Sequence, residues 1–206
     1  MRSRLQYGIL FVLVVLVSVG VLAWSILSRG FSARDEPSAA EAFIARGFRH
    51  LAIPRKAREA RNPVLSSPEV LAGAMEHFAD HCAICHGNDG KGKTLIGKGL
   101  YPKPPDMSLV ETQRLTDGEL YYIIQNGVRL TGMPAFGETG TNEPDEESWA
   151  LVYFIRHLPG MTVEEEQKMK AMNPKSPAEL AKEERLRQFL EGNDSPSPGI
   201  NHDHHH

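Results

Sequence analysis

Cysteine is almost missing from this 206-residue chain, which has only Cys82 and Cys85. Two cysteines exclude a multi-disulfide scaffold and a four-cysteine zinc or iron–sulfur site. Neither lies near the start, so a lipidated-cysteine anchor is not expected. A basic excess is missing too: 23 Lys and Arg face 26 Asp and Glu, for a formal net charge of −3. Dedicated nucleic-acid binders carry the opposite balance, so no nucleic-acid partner is expected. No internal repeat and no run of alternating apolar and polar residues is present, which leaves an all-α fold. Gly (18) and Pro (14) are numerous enough for long loops without general disorder. The last absence is local. Residues 8–28, GILFVLVVLVSVGVLAWSILS, carry no charge.

At 1.5 Å per residue that uncharged run reaches about 30 Å, the thickness of a bilayer's hydrocarbon core. Arg2 and Arg4 precede it and Trp24 stands near its far end, where an interfacial aromatic belongs. Residues 1–28 therefore read as a single transmembrane anchor, with a signal peptide cleaved near Ala23 as the alternative. Either places the rest of the chain outside, on the periplasmic side of a cell inner membrane. Residues 29–66 read as a linker that holds one short helix from Ala39 to Leu51. Arg46, Arg49, Arg55, Lys56, Arg58 and Arg61 make it basic. It is either solvated or in contact with anionic headgroups or an acidic partner.

The compact region is residues 67–160. Ser67-Pro68-Glu69 starts a helix that carries Val70, Leu71, Ala74, Met75 and Phe78 and ends near His81. Thr116 to Glu119 is a capping box that opens a second helix, closed by Asn126-Gly127. Asp145 to Leu158 is a third, with Trp149, Val152, Tyr153 and Ile155 to bury. Residues 161–191 have helical spacing but are heavily charged and read as exposed helices, either free or lying on the domain. Residues 192–206 read as a disordered tail.

Cys82-Ala83-Ile84-Cys85-His86 is the strongest chemical signal. CxxCH is the attachment signature of c-type haem. Two thiols three positions apart can each form a thioether at one haem edge, and the next histidine falls beneath the iron. A thiol–disulfide pair and half of a zinc site completed by His77, His81 and His86 are the competing readings. One covalent haem c needs a second axial ligand, and methionine or histidine usually supplies it. Met133, in Gly132-Met133-Pro134-Ala135-Phe136, is the candidate, with Met107 behind Pro104-Pro105 as its rival. Lys91, Lys93, Lys98 and Lys103 follow the motif and could ring a docking face, although residues 67–160 hold 7 basic against 13 acidic residues.

Together these features resemble the class I cytochrome c family over residues 67–160. An N-terminal helix runs into CxxCH, and a Pro-containing loop, a middle helix, a GMPAF loop and a closing helix with aromatics follow. The resemblance implies that Phe78 packs on the last helix against Trp149 and Tyr153. It implies that Ala74 takes the small-residue place at the helix crossing. It also implies that a carbonyl of Pro102, Pro104 or Pro105 accepts the axial histidine's other N–H. The expected protein is a membrane-anchored electron carrier rather than an enzyme, with His86 and Met133 as axial ligands. Its expected redox partners are a quinol-oxidising complex, a dehydrogenase, an oxidase or another cytochrome. The alternatives are a haem-bearing accessory subunit of a larger respiratory complex and an open-haem enzyme or sensor.

Overall fold

A computed structural model describes residues 2–30, 32–137 and 145–190. Its helices are α1 (Arg2–Arg29), α2 (Ala39–Ala52), α3 (Arg55–Arg58), α4 (Pro68–His81), α5 (Ala83–His86), α6 (Val110–Gln113), α7 (Asp117–Asn126), α8 (Glu146–His157), α9 (Val163–Met172) and α10 (Pro177–Leu190). Short 3-10 turns cover Gly97–Gly99 and Leu158–Gly160. No strand occurs among the described residues. The expected tail at 192–206 lies outside them, as do residues 138–144.

In α1, residues Gln6–Ser28 have a mean hydropathy of 2.8 and no buried share. Twenty-three helical residues rise about 34 Å, so this helix is long and apolar enough to cross a bilayer.

Local chemistry sets the helix starts of the compact region. The Ser67 hydroxyl accepts from the Val70 amide (3.2 Å), and Pro68 takes the first helical position, where no amide partner is needed. Thr116 and Glu119 form the reciprocal capping box of α7. The Asp145 carboxylate accepts from the amides of Glu147 (3.0 Å) and Ser148 (3.2 Å) at the start of α8.

The core forms where α4 crosses α8 and α7 packs on α8's other side. Ala74, 2% exposed, admits the close approach of α4 and α8. The aromatic partners differ from those the resemblance implies. Phe78 packs on Phe154, with ring centroids 4.8 Å apart and tilted by 55°. Trp149 instead stacks on Tyr121 at 4.0 Å and 10°. With helices on two sides, α8 turns Trp149 towards α7 and Phe154 towards α4, and Tyr153 is left half-buried. Arg156 ties the far end together: its guanidinium donates to the Asp117 carboxylate (2.8 Å) and to the carbonyls of Gln113 (2.8 Å) and Leu115.

Two flanking segments join this core. Residues 29–66 hold α2 and α3. Ile53 is 2% exposed, and α3 lies on α7 so closely that a Cβ at Gly118 would collide with the Ala57 carbonyl. The Asn62 amide donates to the Trp149 carbonyl at 2.9 Å. Beyond residue 160, α9 packs on α4, and its Met169 is completely buried. Glu165 both caps α9 and meets the His157 ring at 3.0 Å. By contrast, residues 178–190 of α10 are all exposed.

Candidate functional site

Cys82 ends α4, its amide donating to the Phe78 carbonyl at 2.9 Å. The chain then turns once more as α5, in which the amides of Cys85 (3.2 Å) and His86 (2.9 Å) both donate to the Cys82 carbonyl. One turn of helix therefore carries both thiols and the imidazole, with the cysteines at i and i+3 on one side. The thiols are free and half-buried. Burial, with Cys85 nearby, pushes the Cys82 thiol up to about 12. A thiol–disulfide catalyst needs the opposite shift, so this pair lacks the electrostatics of that reading.

The His86 ring lies beneath Phe78, with centroids 6.3 Å apart. Burial holds its pKa below the ordinary value and keeps the imidazole neutral, the form that ligates a metal. Its Nδ1 is buried without any protein partner. The carbonyls of Pro102, Pro104 and Pro105, the acceptors implied by the resemblance, do not bond it. The Pro104 carbonyl instead crowds Gly92.

The loop behind the motif is drawn in tightly. The Gly92 amide donates to the His86 carbonyl (2.6 Å), the Thr94 hydroxyl to the Cys85 carbonyl (3.1 Å), and the Gly97 amide to the Thr94 hydroxyl (2.8 Å). The same loop places Met107 in the core. Its amide donates to the Gly90 carbonyl (2.9 Å), its carbonyl accepts from Gln113 (2.7 Å), and its side chain is 7% exposed among core residues.

Met133 sits in a loop folded back on the end of α7. Its carbonyl accepts from the Val128 amide (3.1 Å), and its amide donates to the Thr131 hydroxyl (3.1 Å). The amides of Phe136 and Gly137 donate to the carbonyls of Ile124 (3.1 Å) and Gln125 (3.0 Å). Gly132 touches the chain just past the motif: a Cβ there would lie 2.6 Å from Leu100 Cδ2. A larger residue there would push the Leu100 side chain aside. Met133 is half-buried, unlike Met107.

These residues fit a covalently held haem. They offer two unbridged thiols on one turn, a buried neutral imidazole beside them, and a braced thioether on the adjoining loop. Exposed apolar side chains at Ile84, Leu95, Ile96, Leu130 and Phe136 belong to the same turn and loops, and a haem's apolar faces would cover such groups. A zinc site is not assembled: no group of three or more His, Cys, Asp and Glu converges among the described residues. His77 and His81 stack on each other (4.7 Å), and His77 turns to Glu147 at 3.2 Å. Of the four lysines, Lys91 pairs with Asp89 (3.5 Å) and Lys103 is drawn to the 34–36 segment, which leaves Lys93 and Lys98 exposed.

The fold and this site define a cytochrome c domain protein. Residues 69–155 match the family model described as "Cytochrome C oxidase, cbb3-type, subunit III". The chain is similar to a "Cbb3-type cytochrome c oxidase subunit CcoP" of Azospirillum sp. (strain B510), with 30% identity over 95 residues. That alignment covers 41% of this chain and 30% of the relative's length.

Proposed function

We propose that the chain is a membrane-anchored mono-haem c-type cytochrome that passes single electrons between respiratory or periplasmic redox partners. In this reading Cys82 and Cys85 attach the haem covalently and His86 and Met133 hold its iron. The placement of both thiols and the buried imidazole on one turn carries the reading. When bound, the haem supplies one-electron redox chemistry. The protein's part is to fix the two ligands. The Cys82 carbonyl anchors the turn at His86, and Thr131 and Val128 brace Met133, which would hold both ligands in place. The packed α4–α8 core behind the turn excludes water from one side. In this reading no substrate chemistry belongs to the chain itself, and partners would dock where Cys82, Cys85, His86 and Met133 hold the haem.

In this proposal α1 is an uncleaved single-pass anchor that holds the haem domain on the periplasmic side of the inner membrane. The likeness to an oxidase subunit supports a second reading within the same class: a haem-bearing subunit of a larger respiratory complex. Purification of the full chain from native membranes in mild detergent tests both. Haem stain should stay on the polypeptide in a denaturing gel, and the protein should resist a carbonate wash. Co-purification in fixed proportion with other redox subunits supports the complex, and a lone haem polypeptide supports the mobile carrier. Haem that extracts freely into acidic organic solvent would sink the attachment.

A further inference from the structure

Helix α2 is turned the wrong way round for a helix on a water-soluble domain. At about 100° per residue, Phe43, Ile44, Gly47, Phe48 and Leu51 fall within one arc of roughly 140°. Ala42, Arg49 and Ile53 lie at the centre of the opposite arc. An ordinary surface helix buries its apolar arc. Here the side toward the protein is the other one. Ile53 is buried, Ala42 and Arg49 are half-buried, and Glu41 and His50 reach across to Tyr101 and Glu119. The apolar arc faces out, with Phe43 78%, Phe48 69% and Leu51 77% exposed.

The surroundings say what covers it. Nine residues separate the end of α1 from the start of α2, a reach of at most about 30 Å even if fully extended. That tether is further shortened, because Lys103 of the haem domain donates to the carbonyls of Arg34 (3.0 Å) and Asp35 (3.1 Å) and pairs with Glu36 (3.1 Å). With α1 in a bilayer, this tether keeps the start of α2 within about 30 Å of that bilayer's surface and within reach of it. Arg46, Lys56 and Arg61 are exposed in and just after α2 and suit the anionic headgroup layer.

We propose that α2 is an interfacial helix. Phe43, Ile44, Phe48 and Leu51 sink into the headgroup–acyl boundary of the membrane that α1 crosses, while the opposite arc grips the haem domain. The inference rests on the anchor reading of α1. Its consequence is that the domain is held in one orientation close to the bilayer, rather than swinging on a flexible tether.

The test uses the full, haem-loaded chain in vesicles of phosphatidylcholine and phosphatidylglycerol. Cysteine is introduced singly at Phe48→Cys on the apolar arc and at Ala45→Cys on the other side, each then carrying a small fluorophore. The parent protein gives the labelling background. The label at 48 should be quenched several-fold more by lipid-borne nitroxide than the label at 45, and should be shielded from aqueous iodide. If the chain floats with the vesicles but position 48 is as open to iodide as position 45, the interfacial helix is overturned and a protein partner becomes the occupant. If the full chain does not float at all, the anchor reading fails, and this inference with it.

Discussion

His50 and Glu119 stand 69 residues apart in the chain and meet at 2.9 Å, Nδ1 to Oε1. The Glu119 side chain is 5% exposed, whereas that of His50 is 57% exposed. Glu119 thus does two jobs from a buried position. It closes the capping box through the Thr116 amide (2.8 Å) and holds α2 through His50. The Arg58 guanidinium reaches the other His50 nitrogen at 3.1 Å, and the Thr116 hydroxyl donates to the Arg58 carbonyl at 2.8 Å. Burial, then Arg46, lowers the pKa of Arg49, and Glu119 partly offsets them.

Glu119→Ala should therefore cost about 1–3 kcal/mol, because it strands the Thr116 amide and breaks a buried bond to a charged group. His50→Ala, at a half-exposed pair, should cost about 1 kcal/mol or less. Both should speed amide exchange in residues 39–58. Denaturant titration and hydrogen exchange of the haem-loaded protein check these outcomes. Unchanged exchange in α2 in both variants would contradict the role of this pair.

The two candidate methionines should behave oppositely. Met133→Ala should lower the reduction potential by on the order of 0.1 V, since a thioether ligand raises it, and should open the reduced iron to carbon monoxide. Met107→Ala should leave the potential and spectrum in place but cost about 2–5 kcal/mol through the cavity it makes in the core. Redox titration paired with thermal melting separates these effects. A Met107 variant that binds carbon monoxide would reverse the assignment.

Acid should act through Asp145. Burial raises its pKa, but the hydrogen bonds from Ser148, Gln125 and the Glu147 amide outweigh that and hold it below the ordinary 3.8. A carboxylate whose pKa is depressed on folding adds stability above its unfolded value, and that stability fades as pH falls through the folded one. The stability gap between wild type and Asp145→Asn should thus be full above pH 3.8 and shrink below it. Parallel melts across acidic buffers would show this, and a gap that does not depend on pH would refute it.

Gly118→Ala should loosen α3 from α7, because the new methyl would meet the Ala57 carbonyl. A backbone atom cannot turn aside as a side chain can, so the loss should reach about 1–3 kcal/mol. Limited proteolysis should then cut within residues 54–66 sooner than in wild type.

The features legible in the sequence are those whose chemistry is local. Ser67-Pro68, the Thr116–Glu119 box and Asp145 start their helices with atoms only a few residues away, so spacing alone locates them. The CxxCH turn is equally local. What stayed hidden depends on approach in space. Phe154 rather than Tyr153 meets Phe78 because α8 is covered from two sides, which its own periodicity does not reveal. Met169 sits in a helix so charged that it reads as solvent-facing, yet it is buried where α9 packs on α4. Residues 29–66 read as a linker because their grip on the domain is scattered: polar bonds from Glu41, His50 and Asn62, the single buried Ile53 and a backbone contact at Ala57 leave no periodic signature. The outward apolar arc of α2 was present in the sequence but carried no meaning until the protein-facing side was known.

Met169 redraws where the haem-bearing unit can be cut. A fragment that stops after Gly160 satisfies the aromatic crossing and retains every candidate ligand, yet it strips α4 of the cap that α9 provides and removes Glu165 from His157. The helix left bare is the one that leads straight into Cys82. The smallest stretch that keeps the cradle's back wall intact runs through Met172, so a short excised domain would report on a weakened scaffold rather than on the protein's own chemistry.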